Sequence, residues 1–202
     1  KTHAPRSPMG LAWCSEMSQW TTSNSEYGAF TLKAVPLEPK VLRASAEQAQ
    51  AAAFAASRAR LAALMKRHGV EERPVEGDGN CQFRALSDQL YGTEEHHAAV
   101  RAQVVEQLRA APDIYRGFVP GRFERYVEEM AQDGTWGDHV TLQAAADILG
   151  LRIHVLSDFL DEAYIQVQPQ RQKSSKVLKL CFWAEVHYNS VADQSGGGQC
   201  PF

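Results

Sequence analysis

Cys81 follows Gly77-Asp78-Gly79-Asn80 and opens a stretch in which Phe83, Leu86 and Leu90 share one helical face. The first residue of a helix stands where backbone N–H groups lack intrahelical acceptors and where the dipole favours negative charge. The thiolate is the reactive form of cysteine, so this position predicts a nucleophile with a lowered pKa. The same amides can donate to the oxyanion of a tetrahedral intermediate. Gly77 and Gly79 permit the backbone angles that such a turn needs. An inert core cysteine would have no use for two glycines, an Asp and an Asn directly ahead of it.

A thiol nucleophile needs a base and a group that orients the base. His187 lies in Glu185-Val186-His187-Tyr188-Asn189-Ser190, at the end of the last candidate strand. An imidazole can take the thiol proton and later return it to a leaving amine. Asn189 is two residues on, so both side chains face the same side of a strand. Cys81, His187 and Asn189 together follow a known variant of the triad logic. The chain has seven histidines, so His187 gains its meaning from this setting and not from its type.

The elements that must position these residues are legible in part. An alanine-rich helix is expected from Ser45 to His68, with a Ser45/Gln48 capping box and a narrow stripe of Phe54, Leu61, Leu64 and Met65. Lys66 and Arg67 suit its C-terminal dipole, and Gly69 its C′ position. After the Cys81 helix stops at Gly92, Thr93 caps a second one with the stripe His97, Val100, Val104 and Leu108, ended by Pro112. Phe123, Tyr126, Val127 and Met130 mark a third. Asp138 caps a fourth, carrying Val140, Ala144, Ala145, Ile148 and Leu149, with Gly150 as its stop. The period then changes to two. Strands are expected at 151–155, 163–167, 177–182 and 185–190, with Cys181 facing the core. Helices first and strands after predict an α+β domain with a small sheet held between helices.

Composition excludes other classes. The 202 residues carry a net charge of −3, with the basic residues scattered, so a nucleic-acid footprint is not expected. Cys14, Cys81, Cys181 and Cys200 form no C-x-x-C pair and no zinc spacing, so they read as reduced thiols of a cytoplasmic or nuclear protein with no metal and no cofactor. No apolar run reaches the roughly 18 residues of a membrane span. The sequence opens on Lys1, which is compatible with a fragment and leaves an upstream targeting segment open. The expected organisation is an irregular segment at 1–42, an extension helix at 43–70, a catalytic domain at 71–192 and a flexible Gly-rich tail at 193–202.

Three segments, in order, resemble the motifs of the ovarian-tumour (OTU) cysteine proteases. Gly77-Asp78-Gly79-Asn80-Cys81-Gln82-Phe83-Arg84-Ala85 looks like that family's nucleophile loop. Trp136-Gly137-Asp138-His139-Val140-Thr141-Leu142-Gln143-Ala144 resembles its middle motif, departing at Asp138 and Thr141. His187-Tyr188-Asn189-Ser190 resembles its histidine motif. The resemblance covers about residues 71–191 and implies a papain-like OTU fold with an N-terminal helical extension.

It also implies a monomeric deubiquitinase that cleaves after the C-terminal Gly of ubiquitin through a thioester on Cys81. His187 is then the base, Asn189 its orienter, and Asp78 a member of the site that shapes the loop. The amides of Asp78, Gly79, Asn80 and Cys81 form the oxyanion hole. Trp136 and Trp183 are candidates to wall a channel for the Gly-Gly tail, and Glu185 to meet arginines of that tail. A deconjugase for another ubiquitin-like modifier and a catalytically silent ubiquitin-binding module are the alternatives.

Overall fold

In a computed structural model of the protein, the described residues are 39–158, 163–183 and 186–194. The expectations for residues 1–38, for most of the Gly-rich tail, and for Cys14, Cys200 and Glu185 lie outside them. Residues up to Phe54 form one unit, of which the described part is the beginning of the first helix; Ala55 onward forms a second.

The first helix, α1 (Pro39–Arg67), starts six residues before the expected Ser45. Proline at the start of a helix loses no hydrogen bond there and has its φ already set, which makes Pro39 a better start than a capping box further in. Within the second unit, Leu61, Leu64 and Met65 of α1 are buried with Val70, Leu156, Cys181 and Val191. The part of α1 from Ala55 onward therefore packs on the sheet. The expected boundary at residue 70/71 instead cuts a strand, β1 (Val70–Arg73).

Five more helices follow: α2 (Cys81–Tyr91), α3 (His97–Ala110), the single turn α4 (Pro112–Tyr115), α5 (Phe123–Met130) and α6 (His139–Leu149). Their ends obey local chemistry. Gly92 and Gly150 close α2 and α6 in the left-handed region. Asp138 caps α6 in a full capping box with Thr141, an arrangement worth about 1 kcal/mol. Pro112 ends α3 and begins α4.

Strands β2 (Arg152–Ser157), β3 (Ala163–Val167), β4 (Val177–Trp183) and β5 (His187–Asp193) join β1 in one sheet of order β1-β5-β4-β2-β3. Only β2 and β4 run parallel; the other neighbours are antiparallel. The main core lies between α2, α3, α5, α6 and the sheet, around the fully buried Phe83, Leu86, Leu108, Ile153, Leu178 and Leu180. The chain is thus an α+β fold. Phe83 is 0% exposed, and burying such a ring contributes about 2–3 kcal/mol, fixing the helix that carries Cys81.

Candidate active site

Asp78 organises the turn ahead of the nucleophile. Its carboxylate accepts from the Asn80 backbone N–H and from Asn80 Nδ2, each at 2.9 Å. It also accepts from Arg84, at 3.2 Å from Nε and 2.7 Å from Nη2. The Arg84 guanidinium, outweighing partial burial, holds the Asp78 carboxyl far below its ordinary value. Asp78 therefore shapes the loop as an anion. The Asn80 amide is already engaged by Asp78, so of the four expected oxyanion donors it is committed within the loop itself. Gly79 has φ +89°, and a Cβ there would lie 2.0 Å from the Gly134 carbonyl oxygen. Only glycine meets both demands.

The middle motif is locked onto this turn by buried polar groups. Gln82 Nε2 donates to the Asp138 carbonyl at 3.0 Å, and Thr141 Oγ1 donates to Gln82 Oε1 at 2.7 Å. Tyr126 donates to the Asp138 carboxylate at 2.8 Å. Trp136, 52% exposed, stands beside this junction on the loop that abuts Gly79.

Sequence reasoning missed Arg101. It sits one position beyond Val100 on α3, where an arginine at the edge of an apolar stripe usually reaches for water. Here it is 4% exposed and stacks its guanidinium on Phe83, 4.0 Å from the ring centre. Nη1 donates to the Met130 carbonyl at 2.9 Å; Nη2 donates to Asn80 Oδ1 at 2.5 Å and the Thr135 carbonyl at 2.7 Å. Asn80 Oδ1 also accepts from the Gly134 amide at 3.0 Å. One planar cation thus ties the nucleophile turn to the 130–135 loop. Arg101→Ala would take this donor from the Met130 and Thr135 carbonyls and leave Asn80 Oδ1 with the Gly134 amide alone, and we expect it to cost about 3 kcal/mol in urea unfolding. Arg101→Lys should recover only part, because an ammonium cannot span the same fork. A loss below about 1 kcal/mol for the alanine variant would show that the fork is dispensable.

The Cys81 side chain is 8% exposed. Burial pushes its thiol above the ordinary value; the amides of Tyr188, Gln82 and Cys81 itself pull it down, and Asp78 adds to the rise. The expectation of a lowered thiol is therefore corrected: desolvation outweighs the helix start. Cys181, fully buried on β4, is pushed up to about 12, chiefly by burial. A raised thiol is protonated at neutral pH and gains reactivity as pH rises. Iodoacetamide should modify Cys81 at a rate that climbs steadily between about pH 7 and 9 and leave Cys181 untouched. Peptide mapping that found a plateau near neutrality, or modified Cys181, would contradict this balance.

The Tyr188 amide that lowers the Cys81 thiol belongs to the residue after His187, so α2 delivers the thiol to β5 near the histidine. His187 Nε2 lies 3.1 Å from the Val75 carbonyl. A carbonyl only accepts, so Nε2 carries the proton and Nδ1 is the basic atom of the neutral ring. A Cβ on Gly77 would lie 3.8 Å from Nδ1 and 3.6 Å from Cε1, so this nitrogen faces the loop that leads to Cys81. Among the described residues the Cys81–His187 hydrogen bond is not closed.

Asn189 does not touch the imidazole directly. Its Oδ1 accepts from the Val75 amide at 2.9 Å, and its Nδ2 donates to Glu72 Oε1 at 2.5 Å. Val75 thus stands between orienter and base. Trp183, paired with His187 across β4 and β5, donates from Nε1 to Ser57 Oγ at 2.9 Å, and Arg58 lies 4.9 Å over its ring. Its indole is half-buried against α1. No group of three or more His, Cys, Asp or Glu suited to a metal occurs among the described residues.

The sequence model of the OTU-like cysteine proteases matches residues 76–194, more than half of the chain. The chain belongs to the OTU-like cysteine protease family.

Its similarity to family members is high in the same region. It is 53% identical over 132 residues to OVARIAN TUMOR DOMAIN-containing deubiquitinating enzyme 9 of Arabidopsis thaliana, covering 65% of this chain and 38% of that protein. It is 49% identical over 134 residues to deubiquitinating enzyme 12 of the same plant, covering 66% of this chain and 61% of that one. The chain therefore spans less than two thirds of these relatives. Its OTU fold superposes on the OTU domain of OTUD1 with a TM-score of 0.61 at 22% identity, over 71% of this chain and 99% of that domain.

Proposed function

We propose that this OTU protease is a deubiquitinase that hydrolyses isopeptide or peptide bonds after the C-terminal Gly of ubiquitin. The observation that carries the reading is the meeting of α2 and β5. The Tyr188 amide of β5 acts on the Cys81 thiol at the start of α2, while Val75 holds the neighbouring imidazole with Nδ1 as its base. Relatives about half identical to this chain are named deubiquitinating enzymes, which supports the substrate class.

In this mechanism the Cys81 proton passes to His187 Nδ1 as the sulfur attacks the Gly carbonyl carbon. A thiol raised by burial suits this order, since transfer to the base accompanies attack. Amides of the 78–81 turn other than that of Asn80 receive the developing oxyanion. The tetrahedral species collapses, the C–N bond breaks, and the imidazolium gives its proton to the leaving amine. Water, deprotonated by His187, then attacks the thioester and releases the ubiquitin carboxylate and the free thiol. Trp136, exposed beside the turn, is the better placed of the two tryptophans to wall a channel for the Gly-Gly tail, because Trp183 is engaged by α1.

A panel of di-ubiquitins incubated with wild type and Cys81→Ala tests the assignment. Cleavage by wild type and none by the variant is the expected result. An intact panel beside cleavage of another ubiquitin-like conjugate would replace the substrate, and binding without cleavage of either would leave a silent binding module.

A further inference from the structure

The hydrogen bonds behind His187 continue past Asn189. Glu72, on β1, accepts from Asn189 Nδ2 through Oε1 and is gripped by both terminal nitrogens of Arg58 at 3.1 Å each. Its side chain is 16% exposed, so a carboxylate has been drawn largely out of water against the strand that carries the base. Burial alone would raise the Glu72 carboxyl. The hydrogen bonds from Arg58 and Asn189, with the charges of Arg58 and His187, hold it below its ordinary value. The run is continuous: Arg58 on α1, Glu72 on β1, Asn189 on β5, then Val75 and the imidazole. Asn189 receives the Val75 amide, so the angle at which Val75 presents its carbonyl to Nε2 depends on how firmly Asn189 is held. Nothing in β1's own pairing with β5 requires a carboxylate at this position, since that pairing is made by backbone.

We infer that Glu72 is a positioning residue of the active site, holding His187 through Asn189 and Val75, and that Arg58 makes α1 a working part of that site. The inference rests on the deubiquitinase reading for its kinetic test alone.

Glu72→Ala should lower kcat on a ubiquitin–fluorophore substrate about 10- to 100-fold with KM little changed, the scale of a small misplacement of a catalytic group. Glu72→Gln keeps an oxygen for Asn189 Nδ2 and should recover most of that loss. Arg58→Ala should fall between the two. Adding Glu72→Ala to Asn189→Ala should cost nothing further, because both cut the same chain of bonds. A merely structural Glu72 would instead show multiplying losses and a lowered Tm shared by the Gln variant.

A nitrogen-15 NMR spectrum of the histidine rings gives a readout that needs no substrate. The His187 Nε2–H signal should be protected in wild type and Glu72→Gln and lost in Glu72→Ala. A signal unchanged in Glu72→Ala, or an unchanged kcat, overturns the inference, and an unchanged kcat in Arg58→Ala alone removes α1 from it. A wild-type enzyme that cleaves no ubiquitin substrate, yet shows the expected NMR pattern, would sink the proposed substrate and leave the positioning role standing.

Discussion

Cys81→Ala is expected to lower kcat/KM on ubiquitin substrates by about 10⁴-fold or more, leaving only what the turn amides and binding supply. The size of the effect follows from the chemistry: without sulfur no thioester forms. The fold should survive. Cys81 begins α2 and is not one of its core contacts of the size of Phe83 or Leu86. Removing one buried sulfur costs a small cavity, about 1 kcal/mol in a helix anchored elsewhere. The circular dichroism spectrum should therefore match wild type, with Tm lowered by only about 2–4 °C, while turnover vanishes. An alanine variant that still turns over at more than about a hundredth of the wild-type rate would remove Cys81 from the chemistry.

His187→Ala should cost about 10³- to 10⁴-fold in kcat/KM. Two observations raise the expectation above that for a bystander histidine. Val75 fixes the tautomer with Nδ1 as the acceptor, and burial leaves the Cys81 thiol protonated, so the unassisted thiolate is scarce. The enzyme then depends on the base more than a protease with a pre-formed ion pair would. Because thiol and imidazole act in one step, Cys81→Ala/His187→Ala should be no slower than Cys81→Ala alone. Raising the pH should restore part of the His187→Ala activity, since hydroxide generates the thiolate that the missing imidazole would have supplied. A variant that kept wild-type rates at neutral pH would show that another group takes the proton.

What was legible in the sequence is what local chemistry dictates. The stops at Gly92 and Gly150 and the cap at Asp138 need only their neighbours, and each stands where it was expected. The strands read from period two lie within two or three residues of their observed ends, although β2 and the middle of β5 are buried on both faces. β1 escaped notice because Val70-Glu71-Glu72-Arg73 has a single apolar residue; it becomes a strand only by pairing with β5, more than a hundred residues away. The same distance hid Glu72. Parity along β5 correctly put Asn189 on the side of His187, but parity cannot show that the Val75 loop passes between them. Arg101 was hidden by its type, since a charged residue beside an apolar stripe gives no sign that three backbone and side-chain oxygens wait for it.

Folding makes one site from the thiol of α2 and the imidazole of β5. Reaction with a ubiquitin bearing a C-terminal electrophile, followed by intact mass and peptide mapping, tests it most directly. A single adduct on Cys81 is expected, absent in Cys81→Ala and formed far more slowly in His187→Ala. An adduct that persists in Cys81→Ala, maps to Cys181, or forms equally fast without His187 would contradict it.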